Sequence, residues 1–259
     1  MEPIFIGATF FFGAVFASFI GLVVARLSTG ASIVSGRSKC DVCGEDLGPI
    51  SLIPIISWFL TFGRCLTCKT RVSPLMPVSE FALGVLFALA YLKIGATLAL
   101  PFMLIALTLV LGIVWYDFEH TIIPPVLLWP LIACALIVAV LSAPDLTALL
   151  LVVYPALLMG SSLALIHLAS SGRAMGFADA PFTLGLALLV GPTAFTGFVF
   201  SFWIGGLFGI IQLVRRALGT TIEREVPFAP FLAAGFLLAY FTSWDLFSFS
   251  DQLSSLFGA

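Results

Sequence analysis

Long apolar runs separated by short polar breaks fill most of this chain. A helix needs about 20 residues to cross a bilayer, and the runs predict spans near 4–27, 77–95, 97–116, 125–142, 146–169, 181–198, 199–214 and 227–243. They are continuous rather than alternating, which argues against a transmembrane β-barrel with its strands of about ten residues. The expected fold class is an all-α polytopic membrane protein with about eight transmembrane helices. Pro77, Pro124-Pro125, Pro181 and Pro227 fall near span starts, where a missing backbone N–H is harmless. Gly191-Pro192 interrupts the sixth run early, so that span is expected to be short, tilted or re-entrant.

One extended polar stretch, Ser28–Ser73, separates the first two spans. Inside it Ile50–Phe62 is apolar, but about 13 residues are too few to stand upright across a bilayer. That segment is expected to pack on the membrane face or to form a small hairpin. The tail Trp244–Ala259 sets Trp244, Leu246, Phe247, Phe249, Leu253, Leu256 and Phe257 among Ser and Asp. It reads as an interfacial helix or as a disordered end.

Composition agrees with the pattern. The chain is 61% hydrophobic and 9% charged, against about 45–50% apolar in a soluble domain. Met1-Glu2-Pro3 lacks a positive n-region and the first run is long enough to span, so no cleavable signal peptide is expected. A net charge of −2 offers no footing for a nucleic-acid partner. The basic residues instead orient the chain. With the N-terminus outside, Arg26, Arg37, Lys39, Arg64, Lys69, Arg71, Arg173, Arg215, Arg216 and Arg224 fall on the cytoplasmic side, and only Lys93 falls outside. This is a strong positive-inside asymmetry.

Two acids then stand out. Asp117 and Asp179 lie where the third and sixth runs meet polar loops, and the orientation puts both on the cytoplasmic side. An ionisable residue at the edge of a membrane helix is a functional-site candidate by default. Two carboxylates that meet there can share a proton and activate water. The alternative for each is a helix cap or an arginine pair, Arg173 being nearest to Asp179 in sequence. Glu119 and His120 read as solvated loop residues or as groups that tune Asp117. His167 reads as an interfacial or hydrogen-bonded helix residue. Glu80, just inside the second span, reads as a structural ion pair or a substrate contact.

Four of the five cysteines form Cys40-Asp41-Val42-Cys43 and Cys65-Leu66-Thr67-Cys68, two CxxC pairs with 21 residues between them. This spacing resembles a zinc ribbon, each knuckle offering two thiolates from one tight turn to a tetrahedral Zn2+. A reducing cytoplasm favours metal over disulfide; a redox-active dithiol pair and free thiols are the alternatives. Cys134, in mid-span, reads as a small core hydrophobe.

Taken in order, these features resemble the type IV prepilin peptidase family over about residues 12–235. Phe16 through Leu27 resembles its N-terminal GSFLNVVIxRLP signature, and the tetracysteine segment follows with Ile53-Pro54-Ile55-Ile56-Ser57-Trp58 and Gly63-Arg64-Cys65. Pro77-Val78-Ser79-Glu80 is similar to (Y/F)PxxE, Asp117 through Ile123-Pro124 to DxxxxxIP, and Gly176-Phe177-Ala178-Asp179 to GxGD. Pro227-Phe228-Ala229-Pro230-Phe231 is similar to a late PFGPF segment. The chain departs from the pattern at Ala17, Gly21, Ala178, Pro181 and Ala229, which stand for glycine, asparagine, glycine, lysine and glycine respectively. Ala178 adds a Cβ where positive φ or close backbone approach would exclude one.

The resemblance implies a membrane aspartic endopeptidase of the bacterial inner membrane that removes the leader of prepilins or pseudopilins in type IV pilus and type II secretion systems. It implies Asp117 and Asp179 as the catalytic pair, the quartet Cys40, Cys43, Cys65 and Cys68 as a structural zinc site, and Glu80, Gly176 and Ala178 as supporting positions. It further implies a methyltransferase activity using S-adenosylmethionine, for which the sequence shows no Gly-rich Rossmann fingerprint. For Glu119 and His120 it adds leader binding to the alternatives. The corresponding division is a first helix at 1–27, a cytoplasmic tetracysteine domain at 28–76, a transmembrane peptidase core at 77–243 and a periplasmic tail at 244–259. A catalytically impaired assembly homologue and a membrane thiol–disulfide oxidoreductase are the competing readings.

Overall fold

The computed structural model describes residues 2–27, 29, 39–40, 42–48, 53–218 and 226–246. Arg37 and Arg224 of the charge count, most of Ser28–Arg37, the start of the Ile50–Phe62 run and the tail beyond Leu246 lie outside the described residues. Those described are helical, with no named strand. The order is α1 (Glu2–Leu27), α2 (Ile56–Leu60), α3 (Leu75–Ile94), α4 (Leu100–His120), α5 (Pro125–Ser142), α6 (Leu146–Ala169), α7 (Asp179–Val190), a 3-10 turn (Gly191–Thr193), α8 (Ala194–Ala217) and α9 (Ala229–Thr242).

Six stretches are long and apolar enough to cross a membrane: α1, α3, α4, α5, α6 and the 39-residue stretch Asp179–Ala217. The last folds back on itself. Gly191 adopts φ +64° and Pro192 follows it, so a left-handed residue and a missing N–H end α7 after 12 residues. The break thus falls at 191–193 rather than at the 198/199 boundary expected from the apolar runs. Residues 194–198 are as apolar as the helix before them, so hydropathy alone could not mark it. The sixth span is short, as the Gly-Pro pair suggested. At about 18 Å, α7 is shorter than a hydrocarbon core of about 30 Å. Nearly all of it is buried in protein, which is where a half-span can end without exposing backbone to lipid.

Outward faces carry large apolar side chains, among them Ile4, Trp129, Leu151, Leu158 and Trp203, each at least 60% exposed. Lipid is the solvent such faces suit. Inside, with no hydrophobic drive between helices in hydrocarbon, close packing through small residues takes over. A Cβ on Gly13 of α1 would lie 2.8 Å from the Gly84 Cα of α3, and one on Gly235 of α9 would lie 2.3 Å from the Ser201 amide of α8. Cys134 packs at the margin of this core, as a small hydrophobe would.

Contacts along the helices fix their relative sense. Ile20 of α1 reaches Gly112 of α4 and Trp115 covers Gly21, so these two run parallel. Phe5 against Tyr91, Gly13 against Gly84 and Ser18 against Glu80 set α3 antiparallel to α1, and Gly197 against Phe236 with Gly205 against Phe228 sets α8 antiparallel to α9. Arg26, Arg173, Arg215 and Arg216 therefore gather at the end that holds Asp117 and Asp179. Lys93 lies at the other end, donating to the Tyr240 carbonyl and, at 2.7 Å, to the Ser243 hydroxyl. The first residues of the tail fold back there too, the Leu246 amide donating to Thr196 Oγ1 at 3.1 Å and Trp244 packing against Phe200.

Candidate active site and metal centre

Asp117 occupies the last turn of α4 and is 5% exposed. The helix continues past it to His120, then stops as Thr121 turns left-handed (φ 54°) and donates its amide to the Asp117 carbonyl at 2.8 Å. Residues 121–124 form the hairpin into α5, so the Asp117-to-Pro124 motif is one helix end, one turn and one helix start. Asp117 Oδ2 accepts a 3.1 Å hydrogen bond from the Ala229 backbone N–H, the first residue of α9. Only the backbone of Ala229 is used, so the alanine at that position leaves the contact intact. Glu119 and His120 belong to the helix end rather than to a loop. Glu119 accepts from Trp115 Nε1 at 2.9 Å, and the His120 ring packs on Tyr116.

Asp179 is the first residue of α7 and is 7% exposed. The loop that delivers it leaves α6 through two left-handed residues, Ser171 (φ 53°) and Gly172 (φ 75°). His167 Nδ1 lies 2.9 Å from the Met175 carbonyl, and its ring meets Phe177 edge-on. A turn closes with the Asp179 amide donating to the Gly176 carbonyl at 3.3 Å. Ala178 has φ −67° and ψ −18°, an ordinary right-handed conformation that alanine adopts freely. Gly176 is the tighter position, where a Cβ would come within 3.4 Å of Asp179 Oδ2. Pro181 sits in the first turn of α7, where helices tolerate proline.

Asp117 and His167 are both near enough to act electrostatically on Asp179. The two carboxylates come from different helices: Asp117 meets the N-terminus of α9 and Asp179 lies against the Gly176 backbone. The positive end of the α9 dipole thus favours negative charge on Asp117. Sequence reasoning did not find the Ala229 amide, because a backbone donor has no residue type to read. Its one signal was the late Pro-Phe-Ala-Pro-Phe run, whose prolines mark a helix start.

Glu80 is 7% exposed and accepts a 2.6 Å hydrogen bond from the Ile55 amide, with the Ser18 hydroxyl beside it. Among the described residues these are its partners, and neither is a cation. Ile55 has φ 63°, a costly conformation for a β-branched residue. Glu80 therefore ties the start of α2 to α1 and α3.

The four cysteines converge. Their Sγ atoms all lie within 4.8 Å of one another, and Cys40 Sγ is 3.8 Å from Cys68 Sγ. Zinc–sulfur bonds of about 2.3 Å in a tetrahedron set sulfurs about 3.8 Å apart, so the quartet fits such an ion. The two knuckles repeat one geometry. Gly44 (φ 70°) and Lys69 (φ 58°) occupy equivalent places, their amides donating to the Cys40 and Cys65 carbonyls at 2.9 and 3.1 Å. Isolated bridges Lys39–Asp46 and Arg64–Arg71 flank the two turns. The Thr70 hydroxyl, helped by the Thr70 amide, lowers Cys68 to about 6, and the Cys43 and Val42 amides lower Cys40. Although the Glu45 amide favours its thiolate, desolvation and the neighbouring sulfurs push Cys43 up to about 11. A cation held by all four thiolates removes that conflict.

A multi-pass helical membrane protein with a four-cysteine centre and two buried acids at one end is the class these features define. Comparison with known proteins narrows it. The family model of the Bacterial Peptidase A24 N-terminal domain matches residues 11–94. A prepilin leader peptidase/N-methyltransferase of Bacillus subtilis is 30% identical over 95% of this chain and 97% of its own length. One from Pseudomonas aeruginosa is 28% identical over 86% of this chain and 75% of its own. One from Myxococcus xanthus is 33% identical over 47% of this chain and 36% of its own. No solved structure matches. The chain belongs to the prepilin leader peptidase/N-methyltransferase family.

Proposed function

We propose that this chain is an aspartic endopeptidase that removes the leader of prepilins or pseudopilins at the cytoplasmic face of the bacterial inner membrane, with Asp117 and Asp179 as its catalytic pair. The observation that carries this reading is the presence of two buried carboxylates, on α4 and α7, within electrostatic reach of one another at the basic end of the bundle. Two acids so placed hold one proton between them. The ionised member takes a proton from water while the protonated member polarises the scissile carbonyl. The substrate approaches as a basic leader followed by an apolar helix, and the gathering of arginines at the dyad end supports a cytoplasmic site under the positive-inside rule.

Cys40, Cys43, Cys65 and Cys68 hold a structural Zn2+ in this reading. Four thiolates close its coordination shell, so it orders the two knuckles and leaves peptide hydrolysis to the acids. Methylation of the new N-terminus by S-adenosylmethionine, the activity paired with cleavage in the relatives' names, is a second and separable step. At Gly21, where the resemblance leads one to expect asparagine, a Cβ would lie 3.2 Å from the Trp115 ring. An indole covers the space a polar side chain would take, so proteolysis is the activity assigned first. The impaired-homologue reading drew on Ala178 and Pro181; the ordinary conformation of Ala178 and the first-turn place of Pro181 favour a working enzyme instead.

Incubation of the purified full-length protein with a prepilin, without added S-adenosylmethionine, tests the proposal by product mass. Release of an unmethylated mature chain is expected, and methyl donor added afterwards reports the second activity on its own. An intact substrate after incubation with a zinc-replete enzyme sinks the peptidase reading.

A further inference from the structure

The stretch from Ile53 to Gly63, which leads into the second cysteine knuckle, is used by neither the acids nor the metal, yet its geometry is demanding. Helix α2 exposes Ile56, Phe59 and Leu60, and Phe62 beyond it is 87% exposed. Phe62 has φ 52°, so two bulky residues, Ile55 and Phe62, hold left-handed backbone at either end of a one-turn helix. The loop is nevertheless closed and not frayed: the Gly63 amide donates to the Trp58 carbonyl and the Val72 amide to the Gly63 carbonyl, both at 2.8 Å. Strain retained around a fixed apolar tip calls for a partner that accepts the tip.

Its depth in the molecule identifies that partner. Ile55 is held by Glu80 beside Ser18. Ile20 meets Gly112, and Trp115 covers Gly21. The attachment point is therefore level with about residue 110 of α4, roughly 10 Å further into the bundle than Asp117. The apolar tip springs from that level, Ile56 following Ile55 directly and Leu60 five residues after it. Immediately after it in sequence come three exposed cations, Arg64, Lys69 and Arg71, none paired with an acid among the described residues. Arg64 and Phe62 line two adjoining grooves of about 470 and 500 Å³; Lys69 contributes to the first, Arg71 and Trp58 to the second. An exposed apolar tip rooted at that depth, sharing two grooves with three cations, matches a phospholipid, its acyl chain on the apolar residues and its anionic phosphate on the cations.

We propose that residues 53–72 form an anionic-phospholipid site, in which Ile56, Phe59, Leu60 and Phe62 enter the cytoplasmic leaflet and Arg64, Lys69 and Arg71 hold lipid phosphate. The membrane thereby fixes the tetracysteine segment against the bundle from one side as Glu80 does from the other. The site does not depend on the catalytic assignment of Asp117 and Asp179.

Amide hydrogen exchange of the full-length, zinc-loaded protein in nanodiscs tests it, comparing phosphatidylcholine alone with phosphatidylcholine mixed with phosphatidylglycerol. Exchange across residues 56–72 is expected to slow about tenfold or more in the anionic discs, the effect scaling with the three cations. Combined Arg64→Gln, Lys69→Gln and Arg71→Gln should erase the difference between lipids, whereas Arg64→Lys with Arg71→Lys should keep it. Equal exchange in both lipids for the wild type overturns the proposal, as does a difference that survives loss of all three charges in a protein that retains its zinc. Protection that appears only when a prepilin is added would also overturn it and assign the tip to substrate. Should the triple variant lose its zinc, the wild-type comparison and the charge-preserving variant decide alone.

Discussion

Helices α1 and α3 meet at Gly13 and Gly84, with backbone close to backbone and large side chains turned to lipid. In the tetracysteine segment only Gly63 and Cys65 are buried among the described residues from 39 to 73. The bundle is ordered by steric fit inside a hydrocarbon solvent. The segment has almost no core and takes its order from four thiolates, two knuckles and one carboxylate clamp. The difference teaches where each region is vulnerable: the bundle to added volume, the segment to loss of its ion. It also separates two sets of acids and sulfurs that sequence alone lists side by side. Asp117 and Asp179 belong to the close-packed bundle, and the cysteines to the segment with almost no core.

Metal removal is the largest expected break in that comparison. Structural zinc contributes on the order of 10 kcal/mol or more of apparent binding free energy to small zinc domains at neutral pH. Chelation, or Cys65→Ser, should collapse amide protection across residues 39–48 and 64–71 and leave α3 through α9 protected. Loss of protection in α4 or α7 at the same chelator concentration would join the two regions into one folding unit.

Glu80→Ala probes the link between them and should cost about 1–3 kcal/mol, since the Ile55 amide loses its acceptor. Thermal unfolding followed at the segment should shift down while helical signal from the bundle holds. An unchanged segment transition would mean that the clamp contributes nothing. The smallest effect belongs to Ala178→Gly. With φ at −67°, glycine gains no conformation there and loosens the α7 N-terminus by at most about 1 kcal/mol. Peptidase rates should stay within a few fold of wild type, and a large gain in activity would contradict the geometry around Asp179.

Much of this was legible in the chain. Apolar runs gave the transmembrane helices because length and hydropathy are what a bilayer selects, and cysteine spacing gave the metal centre because two turns must each present two thiolates. What was hidden shares a cause. Ala229 reaches Asp117 and Ile55 reaches Glu80 through backbone amides, which every residue but proline carries and no side chain advertises. His167 was readable only as a hydrogen-bonded helix residue; that it holds the Met175 carbonyl of the Asp179 loop depends on the left-handed pair Ser171 and Gly172. The end of α7 was visible as Gly191-Pro192, but the apolar residues after it disguised a reversal as a continuation.

A double-mutant cycle on the acids bears most directly on the central claim that Asp117 and Asp179 act as one catalytic unit. Initial rates of prepilin cleavage would be measured for Asp117→Asn, Asp179→Asn and the double variant, all zinc-replete and folded. Members of a unit fail together, so each single change should lower the rate by roughly 10²–10⁴-fold, with the double variant no slower than the worse single. Either single variant cutting at a tenth of the wild-type rate or better, or losses that multiply in the double variant, would contradict the account.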